Sequence, residues 1–553
     1  MKSYSGILVD LFSRRLFRGE IRVENGKIVS VKAKPNSENR YILPGLIDSH
    51  VHIESSMTVP SVFAEMAVAC GTVAVVCDPH EIANVMGEEG IDYMLKEAEK
   101  VPLKFYFGVP SCVPATPFES SGAVLDSRAV ESLLARKELH YLSEMMNFPG
   151  VIKGVSEVLA KLDAARKFDK PVDGHAPGLQ GVALEKYIGA GIFTDHEAYS
   201  YEEALEKIKL GMKIQIREGS AAQNFEALYP LIEEFPESIM LCTDDAHPDT
   251  LLYEGQIDKL LRLGRKKGLD LFKLLRAAVL NPIEHYGLEV GLLREGDPAD
   301  FIMVEDLESF RVLSTFIEGK CVYESEKVLF NPGKSPVKNV FCREKIGVSE
   351  LKLKLKIGEG LDLLEKPGKI RVILAHDGEL VTGQEFLSPK VEKGELVSDP
   401  MRDLLKLVVL SRYDNSPAQV AFVKNFGLKK GAIASSIAHD SHNLIAVGVK
   451  DEDLVSVINK LVENKGGIVV GSDNEFLDLP LEVAGLMSTR SGKEVVARYR
   501  QLLAEAKKLG TSLKSPFMTL SFMSLLVIPE LKLGDKGLFD VGKFEFVKLW
   551  EAE

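Results

Sequence analysis

Between residue 44 and about residue 288, short apolar runs that end in polar residues alternate with helix-like segments, and this rhythm restricts the fold more than any other feature. Residues 71–78, 103–109, 150–154, 171–175 and 239–244 read as buried parallel strands. Helices fit between them, for example over 201–210 and 269–279. Strand and helix alternating over about 245 residues has the length of a (β/α)8 barrel.

The flanks have another period. Residues 6–10, 16–23 and 27–31 alternate as half-buried strands do, and Asn25-Gly26 between the last two is a strong hairpin signal. So small a sheet needs partner strands, and residues 291–304, 312–317 and 320–323 supply candidates. The expected fold class is α/β: a (β/α)8 TIM-type barrel inserted in a small β-sandwich built from both flanks, plus a C-terminal α/β domain. Residues 1–43 would form the N-terminal part of the β-domain, 44–288 the barrel, 289–330 the rest of the β-domain and 338–553 the C-terminal domain. Asn331-Pro332-Gly333-Lys334-Ser335-Pro336 reads as a linker turn and not a phosphate loop, because Val328 stands where that motif needs its first glycine. Beyond it, residues 351–357 alternate strictly, as a half-exposed strand does. The apolar stripe at 517–526 fits core packing.

A formal net charge of −13 over 553 residues leaves no general basic face for a phosphate backbone, so nucleic acid is not an expected partner. The six cysteines contain no C-x-x-C pair, which points away from thiolate zinc and disulfide frameworks toward reduced thiols in a cytoplasm. With no apolar run of about 18 residues, no membrane span is expected either. A small-molecule substrate and a homo-oligomeric assembly are the expected partners.

Leu43-Pro44-Gly45-Leu46-Ile47-Asp48-Ser49-His50-Val51-His52 carries the first chemical signal. On a strand, side chains at i and i+2 share a face, so His50 and His52 can present two imidazoles to one ion. Functional residues of such a barrel gather at the C-terminal strand ends. Besides the pair, those ends hold Asp78, His80, Glu144, His175, His196 and Asp244. Counting about 20 to 35 residues per βα unit puts the pair on strand 1, Glu144 near strand 4, His175 on strand 5, His196 on strand 6 and Asp244 on strand 8. Four imidazoles and two carboxylates exceed what one four-coordinate ion takes, so two ions sharing a carboxylate fit better. Such a pair can generate a bridging hydroxide at neutral pH, which points to hydrolysis.

Pro44-Gly45-Leu46-Ile47-Asp48-Ser49-His50-Val51-His52, the later single histidines and Asp244 resemble the amidohydrolase superfamily over the first 330 residues. Cys77-Asp78-Pro79-His80-Glu81, Glu144-Met145-Met146-Asn147-Phe148-Pro149-Gly150, Asp173-Gly174-His175-Ala176-Pro177-Gly178, Arg217-Glu218-Gly219-Ser220, Thr243-Asp244-Asp245 and Ala438-His439-Asp440-Ser441-His442-Asn443 resemble the bacterial and archaeal adenine deaminases. The resemblance implies a metal-dependent hydrolase acting on C–N bonds of cyclic amidines, converting adenine to hypoxanthine and ammonia in purine salvage. It implies that His50, His52, Glu144 and Asp244 hold one divalent ion, and Glu144, His175 and His196 the other, with Mn or Fe favoured and Zn the third choice. Many relatives bridge their metals with a carboxylated lysine, so Lys153 and Glu157 stand as alternatives to Glu144.

Asp244 would move the proton from the attacking water to the leaving amine, or serve only as a ligand. A second acid is expected at the purine ring, with Glu218 and Glu81 as candidates, and a solvated salt bridge is the plainer reading of each. His80, Arg217 and Ser220 are candidate substrate-binding residues, and His80 also suits an extra ligand or a structural role. Asp48 would orient a ligating histidine or cap the turn. His439 and His442 suit hydrogen bonding more than metal binding. A cyclic amide hydrolase of the dihydroorotase or hydantoinase kind and a non-catalytic amidohydrolase-like scaffold are the competing readings.

Overall fold

Three antiparallel strands open the chain: β1 (Lys2–Asp10), β2 (Arg15–Glu24) and β3 (Lys27–Ala33). Asn25 and Gly26 join the last two at φ of 49° and 79°, the pair of left-handed positions that a two-residue hairpin turn requires. The computed structural model describes residues 1–355 and 368–550. In it β4 (Tyr41–Pro44) lies parallel to β1 and leads straight into the barrel.

The barrel strands are β5 (Leu46–Val51), β6 (Thr72–Cys77), β7 (Lys104–Val109), β8 (Leu139–Met145), β9 (Val172–Gly174), β10 (Thr194–Asp195), β11 (Lys213–Arg217) and β12 (Ile239–Cys242). Strands β5 to β9 pair in parallel, as do β10 to β12. The Phe193 N–H donates to the Val172 carbonyl at 3.5 Å between the two runs. A parallel bridge from Val51 to Asp244 closes the circle, so the eight strands form the expected (β/α)8 barrel. Residues such as Val73, Val75, Ile214 and Met240 are wholly buried in it, as a barrel filled with side chains requires.

The fourth strand corrects one expectation. Residues 150–154 are not a strand: Phe148–Lys153 is a helix, and β8 is the fourth strand. Asn147 caps that helix by accepting from the Gly150 N–H, Pro149 occupies its first turn and Gly154 ends it at φ 70°. These termini outweigh the apolar content that suggested a strand.

After the barrel, β13 (Phe301–Val304), β14 (Val312–Ile317), β15 (Lys320–Glu324) and β16 (Lys327–Val328) complete the flanking sheet in the order β16-β15-β14-β13-β4-β1-β2-β3. Leu8, Ile21, Val23, Phe301 and Phe316 share its core.

By contact density the chain divides into two units. The first comprises residues 1–80, 91–112 and 125–335, the second 81–90, 113–124 and 336–553. In the second, eight strands run in the order Gly383–Leu387, Ile370–Leu374, Gln419–Lys424, Leu404–Leu410, Leu444–Gly448, Ala432–Ser435, Gly467–Ser472, Glu475–Pro480. The helix Asp451–Asn464 packs Leu454, Ile458 and Leu461 against Val408, Ala434 and Ala446 of this sheet. Of the alternating stretch 351–357, Leu353–Lys354 is a strand, while Lys356 and Ile357 lie outside the described residues. The stripe at 517–526 is core, with Phe517, Leu520, Met523 and Leu526 buried.

Candidate metal centre

Barrel closure places the first donors. The Asp244 N–H donates to the His50 carbonyl at 2.9 Å, and the His52 N–H to the Asp244 carbonyl at 3.3 Å. This two-way backbone clamp holds Asp244 Oδ1 at 3.5 Å from His50 Nε2 and 3.2 Å from His52 Nε2. Asp244 adopts φ 55° to do so, a left-handed conformation that aspartate tolerates better than most residues.

Glu144, the penultimate residue of β8, faces different imidazoles with its two oxygens. Oε1 lies 3.4 Å from His52 Nε2 and 3.5 Å from His80 Nδ1, and Oε2 lies 2.7 Å from His175 Nδ1 and 3.2 Å from His196 Nε2. Tyr187 aligns the two strands involved, because its hydroxyl accepts from the His175 N–H at 3.0 Å and donates to the Met145 carbonyl at 2.8 Å.

The donor atoms fall into overlapping groups, each within 4.8 Å: His50 with His196 and Asp244; Glu144 with His175 and His196; His52 with Asp78, His80 and Glu144; and His52 with Asp244 and Asp245. His50 and His52 share a strand face but fall in different groups. Asp78 and His80, from the end of β6, join His52.

These residues fit metal ions. His50 is fully buried, yet neither ring nitrogen has a hydrogen-bond partner, and Nδ1 of His196 has none either. Buried imidazole nitrogens left open are costly unless a ligand completes them. His52 Nδ1 donates to the Asp78 carbonyl at 3.1 Å, which fixes the tautomer that leaves Nε2 free to bind an ion.

Residues 41–322 match the model of the amidohydrolase family, and residues 379–545 that of the adenine deaminase C-terminal domain. The adenine deaminase of Methanosarcina barkeri is 69% identical over 553 residues, covering 100% of both chains. Those of Methanosarcina acetivorans and Salinibacter ruber are 70% and 50% identical, covering 100% and 99% of this chain and 100% and 98% of their own. The chain belongs to the adenine deaminase family. Membership of the wider amidohydrolase family implies divalent metal ions.

Around the donors, this member of the adenine deaminase family builds a tight charge balance. Burial alone would raise the Asp244 carboxyl, but the Arg217 guanidinium and the imidazoles of His50 and His52 outweigh it and hold Asp244 well below the usual range. Burial also opposes ionisation of Glu144, and His175 and His196 reverse the effect. Arg217 donates to Glu197 at 2.5 Å and to Asp244 Oδ2 at 2.7 Å. Asp195 in turn accepts from the Ala176, Glu197 and Ala198 N–H groups and from Lys207, which fixes the turn carrying His196 and Glu197.

Asp48 makes a local turn contact with the His50 N–H at 3.4 Å and no hydrogen bond to an imidazole nitrogen. Its Oδ1 accepts from the N–H groups of Thr243 and His50, and its Oδ2 from the Thr243 hydroxyl and, at 2.8 Å, from Gln256 Nε2. It therefore staples β5 to the residue preceding Asp244. Burial pushes its carboxyl up to about 6 against those hydrogen bonds.

His50, His52, Glu144, His175, His196 and Asp244 thus converge, with His80 beside Asp78 and Glu144. Arg217 is buried within its carboxylate pairs. Ser220 shares a hydrogen bond with Thr250 at 2.7 Å and accepts from the His247 N–H at 2.8 Å. Glu218 joins no donor group; burial pushes it up to about 7, and its charged neighbours are Lys259, Glu226 and Glu254. Lys153 is exposed on the helix that replaces the expected strand, and Glu157 is exposed and accepts from the N–H and hydroxyl of Ser127. Neither approaches the donors as Glu144 does. Glu197 escaped the sequence reading, although it directly follows His196 at a strand end; its partner Arg217 is the signal only the fold supplies.

Proposed function

We propose that this chain hydrolyses adenine to hypoxanthine and ammonia, as its relatives' names indicate for them, with two divalent ions. His50, His52, Glu144 and Asp244 would hold one, and Glu144, His175 and His196 the other, with Mn or Fe preferred and Zn third. The carrying observation is Glu144, whose oxygens face His52 and His80 on one side and His175 and His196 on the other, as a shared ligand must. Bound there, the ions supply Lewis acidity and make water acidic enough to attack near neutral pH.

The chain's own groups move the protons. Asp244 Oδ1, held ionised by Arg217, takes a proton from the attacking water and passes it to the departing amino group. A C–O bond forms at C6 of the purine, the C6–N bond breaks and ammonia leaves. Glu218, raised to about 7 by burial, can be protonated at neutral pH and supply a proton to a ring nitrogen; the proton left on the new C6 oxygen is released as the carbonyl forms and restores Glu218. His80 is the best placed of the three proposed substrate-binding residues, whereas Arg217 and Ser220 act through the groups they hold. Purine salvage in the cytoplasm is the role we propose for this activity.

The test is ammonia release from adenine by protein reconstituted separately with Mn, Fe and Zn, beside Glu144→Ala and Asp244→Ala. Metal-dependent hypoxanthine formation, lost in both variants, supports the proposal. No turnover from protein carrying two ions overturns it and directs the search to cyclic amides.

A further inference from the structure

A second cluster of imidazole and carboxylate groups lies wholly within the second unit and shares no residue with the barrel donors. Glu81, His439 and His442 are 2%, 4% and 0% exposed, and their ligand atoms lie within 4.8 Å of one another. The His442 N–H donates to the Ala438 carbonyl at 2.8 Å with His442 at φ 52°, a turn that brings its ring to 5.5 Å from that of His439. His439 stacks on Phe522 with ring centres 5.1 Å apart and sets Nδ1 at 2.8 Å from Glu81 Oε1. His442 Nε2 is buried without a hydrogen-bond partner and stands 3.9 Å from Glu81 Oε2. That gap is too long for a hydrogen bond, yet both atoms can reach one ion with bonds of about 2 Å.

The geometry points to a third divalent-metal site formed by Glu81, His439 and His442. Two nitrogens and a carboxylate are a zinc donor set, also open to Mn and Fe. The ion binds His439 Nδ1, His442 Nε2 and the Glu81 carboxylate, leaving a further position for solvent. His442 then carries its proton on Nδ1 and gives up the long, 3.4 Å hydrogen bond that Nδ1 accepts from the Ala438 N–H. Zinc at this site adds to the bonds that already hold the loop, among them that from the His439 N–H to the Ser521 carbonyl at 3.2 Å and that from the Tyr413 hydroxyl to the Ser441 carbonyl at 2.7 Å.

The test is a crystal of the full chain saturated with zinc(II), with anomalous data collected at the zinc edge. A peak bounded by Glu81, His439 and His442 is expected, and its absence overturns the proposal whatever the barrel shows. In solution, His442→Gln should bind one zinc equivalent fewer than the wild-type chain after dialysis. The double variant His50→Gln with His52→Gln should keep an equivalent that disappears when His442→Gln is added. Equal zinc content in wild type and folded His442→Gln overturns the site. If dinuclear binding in the barrel fails instead, the peak and the equivalent at His442 persist, which separates the two readings.

Discussion

Arg217 donates from its guanidinium to Oδ2 of Asp244 at 2.7 Å, leaving Oδ1 facing His50 and His52. The same guanidinium holds Glu197, so one buried cation orients two carboxylates. Arg217→Lys keeps the charge but loses the fork that spans both groups. Steady-state kinetics on the metal-loaded protein should show kcat for adenine falling by about a hundredfold, the scale of a small misplacement at a reacting centre. Arg217→Met strands two buried carboxylates and should cost about 3–5 kcal/mol in denaturant unfolding. Unchanged kinetics in Arg217→Lys would refute the positioning role.

Glu144 is shared between donor groups, and so its loss should weaken binding of both ions at once. Glu144→Gln should retain fewer than two metal equivalents in the barrel after dialysis, with a drop in affinity larger than the roughly 10- to 100-fold typical of losing an outer-shell partner. Elemental analysis on protein shown by circular dichroism to be folded checks this. Glu157→Gln, whose parent carboxylate accepts from the N–H and hydroxyl of Ser127 away from the donors, should keep the full complement.

Glu218 carries a pH signature. An acid that must donate is active while protonated, so a carboxyl raised to about 7 works below that pH and loses activity as pH rises through it. kcat/KM for adenine should therefore fall on the alkaline side with an apparent pKa near 7, and Glu218→Gln should lose that limb together with most of the rate. A limb that survives in Glu218→Gln belongs to another group.

Asp48 accepts four hydrogen bonds from Thr243, His50 and Gln256. Asp48→Ala leaves those buried donors without acceptors, and urea unfolding should show a loss of about 3–5 kcal/mol. Because burial raises its pKa in the folded chain to about 6, the Asp48 contribution declines as pH rises through 6. The stability difference between wild type and Asp48→Ala should accordingly narrow from pH 5 to pH 7, about one unit to either side.

Much of the architecture was readable locally. The hairpin at Asn25-Gly26 needs only two residues that accept positive φ, and the strand–helix alternation repeats within a few dozen residues. His50 and His52 were visible because a period of two is a property of the strand itself. Local signals failed at residues 150–154, where apolar residues between glycines look like a strand, while Asn147 and Pro149 start a helix. They were also weak for β8, whose Leu139-His140-Tyr141-Leu142-Ser143-Glu144-Met145 mixes polar and apolar residues although it is buried almost throughout.

The sequence by itself determined which side chains stand at the strand ends and which family the chain resembles, because both depend on residues close together along the chain. Only the tertiary structure decided which nitrogen meets which oxygen. Asp48 reaches Thr243 across 195 residues and Gln256 across 208, and Arg217 finds Glu197 and Asp244 only once β12 has closed on β5. Those pairings are set by packing and barrel closure, which no local propensity encodes.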